Sequence, residues 1–183
     1  MRDVVLTISV LVLVTVPCFG GTIRVPADQP NIQAAINAAV SGDTVLVAPG
    51  TYTGLGNRNI QFFGKSVVLR SESGPEVAIL DAEATDSSTQ RVLNIAMNES
   101  ADCRIEGFTI TGGSALQPGN TAGGGVDIAN ASPSFESCIF SGCRAEHGGG
   151  VRVYGSNSTF LNCRFVGNQA ENGGGVCVQS YSD

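Results

Sequence analysis

Asp127, Arg152 and Cys177 stand 25 residues apart, each directly after the valine of a Gly-Gly-Gly-Val run. A carboxylate, a guanidinium and a thiol returning on one beat prompt a search for chemistry. If residues one beat apart lie over each other, Asp127 and Arg152 make an exposed ion pair worth well under about 1 kcal/mol. They are also the nearest approach in the chain to a catalytic carboxylate and base. Further carboxylates do not stack beside them, so the sequence assigns no catalytic residue, no cofactor-binding residue and no metal ligand. Glu106 and Glu136 share an outward place on neighbouring repeats, with Leu161 next in the row. Two like charges there read as a solvated face, with calcium binding as the alternative.

His147, the single histidine, reads as a solvated loop side chain just before a glycine bend. With one histidine and no C-x-x-C pair, the sequence argues against a zinc site. Five cysteines follow residue 20: Cys103, Cys138, Cys143, Cys163 and Cys177. Cys138 and Cys163 fall inward at one place on adjacent repeats, either as small apolar filler or as a disulfide. Cys177 is placed outward and Cys143 in a loop. An odd count leaves at least one thiol free or paired elsewhere.

These placements rest on the repeat. "GGGVDIANASPSFESCIFSGCRAEH" is followed by "GGGVRVYGSNSTFLNCRFVGNQAEN" and then "GGGVCVQSYSD". Val126, Val151 and Val176 match, as do Phe135 with Phe160, Cys138 with Cys163, and Phe140 with Phe165. Upstream, Ile105, Phe108 and Ile110 of "RIEGFTITG" match Phe135, Cys138 and Phe140 at a spacing of 30, the extra residues falling in the turn-rich "GGSALQPGNTAG". Insertions confined to a loop while strands keep register are what a solenoid permits. Val126 and Ile128 flank Asp127, and Cys163 and Phe165 flank Arg164, an alternation of period two that predicts strands. Three short strands per repeat close one coil of a parallel β-helix, with equivalent residues about 4.8 Å apart on the next coil. The glycines serve the bend into the strand, where a side chain would obstruct and a positive φ is needed. Ser137 and Asn162 occupy a second bend.

In the first half, "DQPNIQAAINAAVSGD" predicts the one helix, with Ile32, Ala35, Ile36 and Ala39 on a shared face and Gly42 at its stop. Its role is to cover the open end of the stack. Strands follow in "DTVLVAPGTY", "KSVVLRS", "VAILDA" and "RVLNIAM", giving six or seven coils over residues 22–183. The chain stops one strand into its last repeat. The reading there is that the β-helix domain, residues 21–183, is truncated at its C-terminal end, a covering partner chain being the alternative.

Residues 1–20 read as a secretory signal peptide. The apolar run Val4–Val16 would rise about 20 Å as a helix, short of the roughly 30 Å hydrocarbon core. Cys18 and Gly20 suit positions −3 and −1 of a cleavage site. A lipid anchor on Cys18 is the alternative, which Pro17 fits poorly. No later segment predicts a membrane span. Acidic residues outnumber basic ones 16 to 10 and the charges are scattered, so the chain lacks the basic stripe that nucleic acid requires. Asn98, Asn130 and Asn157 open N-x-Ser/Thr sequons, which matter only in a eukaryotic secretory route.

"TIRVPADQPNIQAAINAAVSGDTVLVAPGTYTG", then "ILDA" and "IEGFTITGG", resemble the capping helix and coils of secreted bacterial right-handed parallel β-helix proteins, the pectin-lyase-like superfold. The "GGGV" runs with "FVGN" and the decayed "FSGC" are similar to repeats of polymorphic outer-membrane and autotransporter-type surface proteins. The resemblance implies an all-β, right-handed parallel β-helix with an N-terminal capping α-helix. It implies a secreted or outer-surface location and a polysaccharide or surface partner, whereas this superfold hosts both enzymes and adhesins. The expected function is a non-catalytic carbohydrate- or partner-binding adhesion module. The alternative is a polysaccharide lyase or glycoside hydrolase whose catalytic coils lie beyond residue 183, and a purely structural stalk is a third reading. Tyr154 and Tyr181 are the candidates for stacking on a glycan.

Overall fold

The computed structural model describes residues 20–85, 87–119 and 121–180. The expected leader therefore lies outside the described residues apart from Gly20, as does Tyr181.

Six coils follow in chain order. The first holds β1 (Thr22–Val25) and leads into α1 (Ile32–Ala38), and the second holds β2 (Thr44–Val47) and β3 (Gly50–Tyr52). The third holds β4 (Val68–Ser71), β5 (Ala78–Asp81) and β6 (Leu93–Ile95). The fourth has β7 (Arg104–Glu106), β8 (Thr109–Thr111), β9 (Ser114–Ala115) and β10 (Val126–Ala129). The fifth has β11 (Ser134–Glu136), β12 (Ile139–Ser141), β13 (Arg144–His147) and β14 (Val151–Tyr154). The sixth has β15 (Thr159–Leu161), β16 (Arg164–Val166), β17 (Gln169–Asn172) and β18 (Val176–Gln179).

These strands stack into four parallel sheets. The longest runs β1-β2-β4-β7-β11-β15, the others β3-β5-β8-β12-β16, β6-β10-β14-β18 and β9-β13-β17. The later coils thus carry four strands, not three. The extra one, β13 and β17, was hidden because it contributes a single small inward residue per rung, Ala145 and Ala170. His147 consequently ends a strand and is half-buried, against its expected place in a solvated loop.

The expected register holds. Val126 pairs with Val151, and Val151 with Val176; Phe135 pairs with Phe160, and Phe140 with Phe165. Inward columns such as Tyr52–Leu80–Ile110–Phe140–Phe165 fill the lumen. Two pairs of phenylalanines stack almost face to face, Phe135 on Phe160 at 5.2 Å and Phe140 on Phe165 at 4.8 Å between centroids. The two stacks meet edge to face, with Phe135 and Phe140 centroids 5.6 Å apart at 63°. Such contacts add to the area each ring removes from water.

Cys143 lies in the bend between β12 and β13, in keeping with its expected loop placement, and its side chain is fully buried. It occupies the inward place that Asn168 fills one coil on. Asn168 Oδ1 accepts from the Cys143 N–H at 3.0 Å, and its Nδ2 donates to the Phe140 carbonyl at 2.9 Å. Burial pushes the Cys143 thiol up to about 11.

Helix α1 starts where Asn31 caps it, Oδ1 accepting from the Ala34 N–H at 2.9 Å. Ile32, Ala35 and Ile36 are buried, and the helix packs against β1 and β2 at the start of the stack, as a cap should. It ends at Ala39, three residues before Gly42, which instead turns the chain into β2. The stop comes from Lys65, the only lysine, whose Nζ donates to the carbonyls of Ile36, Asn37 and Ala39 at 2.9, 3.0 and 2.9 Å. A cation on the helix C-terminus satisfies otherwise orphaned acceptors and opposes the negative dipole end. Lys65→Met is expected to lower stability by about 1–2 kcal/mol, read from the urea midpoint, and to speed amide exchange in α1 before the rest of the molecule.

Candidate functional site

The outer face of the six-stranded sheet carries two rows of side chains. One row runs Arg24, Leu46, Arg70, Glu106, Glu136, Leu161, and the other Thr22, Thr44, Val68, Arg104, Ser134, Thr159. Two depressions adjoin here and share Arg104. One, of about 450 Å³, is lined by Ser41, Gly42, Ser66, Val68, Asp102 and Arg104. The other, of about 350 Å³, lies among Arg70, Ser71, Arg104, Glu106, Gly107, Glu136 and Ser137. The trough therefore starts at the residues that precede β2, β4 and β7 and ends at the far ends of β4, β7 and β11. It crosses the strands obliquely over four rungs.

Most of its charged groups gather in the second depression, while Val68 and Gly42 give the first an apolar floor. Arg70 Nε donates to Glu106 Oε2 at 2.5 Å, and Arg104 Nε lies 3.4 Å from Glu106 Oε1. The hydrogen bond to Glu106 holds the Arg70 guanidinium more firmly in its charged form. The two arginine side chains are about half exposed, at 47% and 46%, while Glu106 is nearly covered at 14%. Both guanidiniums thus keep N–H groups toward the solvent, and Glu136 adds an exposed carboxylate one rung away. Glu106 and Glu136 are register partners as expected. Glu106 is held between two arginines, and among the described residues no three metal-ligating side chains come together. The described lining includes no aromatic residue, so a ligand here would be gripped by hydrogen bonds and charge.

The row Asp127, Arg152, Cys177 forms on the sheet that contains β10, β14 and β18. Asp127 Oδ1 accepts from Arg152 Nε at 2.7 Å and Oδ2 from Arg152 Nη2 at 3.1 Å, a two-pronged pair. The expected exposed pair is in fact mostly covered, with side chains 13% and 22% exposed. It also has a third member that the repeat pattern missed. Arg91 Nη2 sits 4.0 Å from Asp127 Oδ2, its side chain 9% exposed, and donates to the carbonyls of Ala122 and Gly123. Burial lowers the Arg91 proton affinity, and Asp127 partly restores it. Both oxygens of Asp127 are engaged within the protein, which fits a structural role. Asp127→Ala is expected to cost about 2–4 kcal/mol, because it strands two covered guanidiniums. The double variant with Arg152→Ala should recover part of that loss in denaturant titration.

Of the remaining candidates, Tyr154 has Arg152 seated over its ring at 5.6 Å, which occupies one stacking face. His147 Nδ1 and Asn172 Nδ2 bond at 3.2 Å across a rung. Cys177 is half-buried in register with Arg152, and the five described cysteines are thiols.

Coiled parallel sheets around one lumen, capped by a helix, define a parallel β-solenoid. Residues 44–183 match the family model described as a right-handed beta helix region, so the chain belongs to the right-handed β-helix family. No curated protein and no solved structure matches it at a significant level. No helix among the described residues is long and apolar enough to cross a membrane.

Proposed function

We propose that the chain is a secreted or cell-surface β-helix that binds a polysaccharide, or a polar surface partner, without catalysis. The observation that carries this reading is the oblique trough centred on Arg104, an extended groove rich in hydroxyls and paired charges. A linear polyhydroxylated chain presents alternating donors and acceptors along its length, which such a groove can meet one rung at a time. The leader-like N-terminal segment supports export, and the family assignment fits a surface or carbohydrate-related protein.

Titration calorimetry against neutral and acidic polysaccharides tests the proposal. Binding is expected, and Arg104→Ala should weaken it about tenfold, or about 1.4 kcal/mol, with the melting curve unchanged because the side chain is half exposed. Equal affinity of the variant and the native chain would remove the trough from the account. Steady formation of unsaturated product from a polyuronate with calcium would replace the non-catalytic reading with a lyase.

A further inference from the structure

We propose that Cys138 and Cys163 form a redox-responsive staple, closing to a disulfide that ties the fifth coil to the sixth. Cys138 lies in the bend between β11 and β12, and Cys163 in the equivalent bend between β15 and β16. The flanking pairs Glu136–Leu161 and Ile139–Arg164 make the two cysteines rung neighbours. Adjacent rungs lie about 4.8 Å apart, inside the roughly 4.4–6.8 Å Cα range that a disulfide spans. Each Sγ turns toward the carbonyl two residues before it, 3.4 Å away in both cases, and toward the coil below: Cys138 to Ile105 at 3.5 Å and Cys163 to Phe135 at 3.7 Å. The Cys163 sulfur thus leans onto the coil that carries Cys138.

No other described cysteine is placed this way. The register of Arg144 with Ser114 and with Gln169 sets Cys143 between Gly113 and Asn168, and Cys177 pairs with Arg152. Cys103 follows suit, with Val67 and Pro133 as rung neighbours by the pairings of Arg104.

The two sulfurs differ in a way that gives the exchange a direction. Cys163 is half-buried and reachable, and the neighbouring Cys138 side chain holds its thiol below the usual value. Cys138 is fully buried, and the adjacent Cys163 side chain together with burial keeps it a thiol. With a small disulfide RSSR as oxidant, the Cys163 thiolate attacks one sulfur, forming a mixed disulfide and expelling RS⁻. Cys138, losing its proton as it attacks, then displaces the second RS⁻ from Cys163. The net change is two protein thiols and RSSR to one protein disulfide and two RSH. Closing this 25-residue span restrains the coil whose core rings, Phe160 and Phe165, are only partly covered.

The test incubates the reduced full chain with oxidised glutathione, followed by intact-mass analysis, non-reducing peptide mapping and thermal melting. The expected result is loss of two hydrogens, one linked peptide pair carrying Cys138 and Cys163, and a Tm higher by about 5–10 °C that dithiothreitol reverses. Cys138→Ala and Cys163→Ala should each abolish the closure, the first leaving glutathione trapped on Cys163, while Cys177→Ser should not affect it. A glutathione adduct persisting on Cys163 of the native chain, a bond from Cys163 to Cys177, or no mass change would each overturn the proposal. The reduced native chain supplies the folded reference, so an alanine variant that folds poorly does not decide the outcome.

Discussion

Gly149→Ala is expected to destabilise the fold by about 3 kcal/mol, although the substitution adds one methyl group and needs no unusual backbone angle. A Cβ on Gly149 would stand 2.4 Å from the Gln169 carbonyl oxygen and 2.6 Å from that of Gly174. Both obstacles are main chain of the next coil, held by the Gly150 N–H bond to Gly174 O at 2.9 Å and the Gln169 N–H bond to Cys143 O at 2.9 Å. Neither can retreat without opening the stack. Gly167→Ala supplies the contrast. Gly167 has φ of +64° and open space around it, so alanine there meets only backbone strain, about 1–2 kcal/mol. Urea titration of the two variants should rank Gly149→Ala clearly below Gly167→Ala. The reverse order would show that the close approach of coils at Gly149 costs less than a strained backbone angle at Gly167.

The second large effect is Phe140→Ala, at about 3–5 kcal/mol. Phe140 is fully buried, stacks on Phe165, and meets the rings of Phe135 and Phe160 edge-on at 5.6 and 6.1 Å. Truncation empties the junction of two stacks, and rungs pinned by parallel pairing on both sides cannot collapse into the void. Phe140→Leu should cost less than half as much, since most of the volume remains. Denaturant midpoints check the ranking. In Phe140→Ala, amide exchange should accelerate first in β12 and β16, the strands that hold the ring and its stacking partner.

The 25-residue beat made the stack legible because equivalent residues in a parallel solenoid are forced into one column. Val126 over Val151 and Phe140 over Phe165 could be read from spacing alone. The fourth strand could not, since Arg144–His147 shows one alanine among polar side chains and alanine is too small to mark a buried face. The status of Cys143 was available in principle: "FSGC" aligns with "FVGN", and the asparagine of the second is an inward residue that bonds the coil below. Arg91 was hidden by the loop insertion. Its place on the rung corresponds to Gly124 by the pairing of Leu93 with Val126, yet it lies 33 residues earlier and not 25. The trough was invisible for a different reason. Its two halves meet only because Arg104 lies on a rung between Arg70 and Glu136, and a groove that runs obliquely to the strands leaves no periodic trace.

The lysine that stops α1 has a consequence for handling the molecule. With a single side-chain amine in these 183 residues, an endoprotease specific for lysine has one address in the chain, and that address is plugged into three carbonyls. Cleavage after residue 65 would require the lid of the solenoid to lift, so the rate of that one cut becomes a clock for breathing at the capped end. Amine-directed dyes would report the same motion at a single side chain, read by peptide mapping apart from the α-amine they also label, without any engineered label.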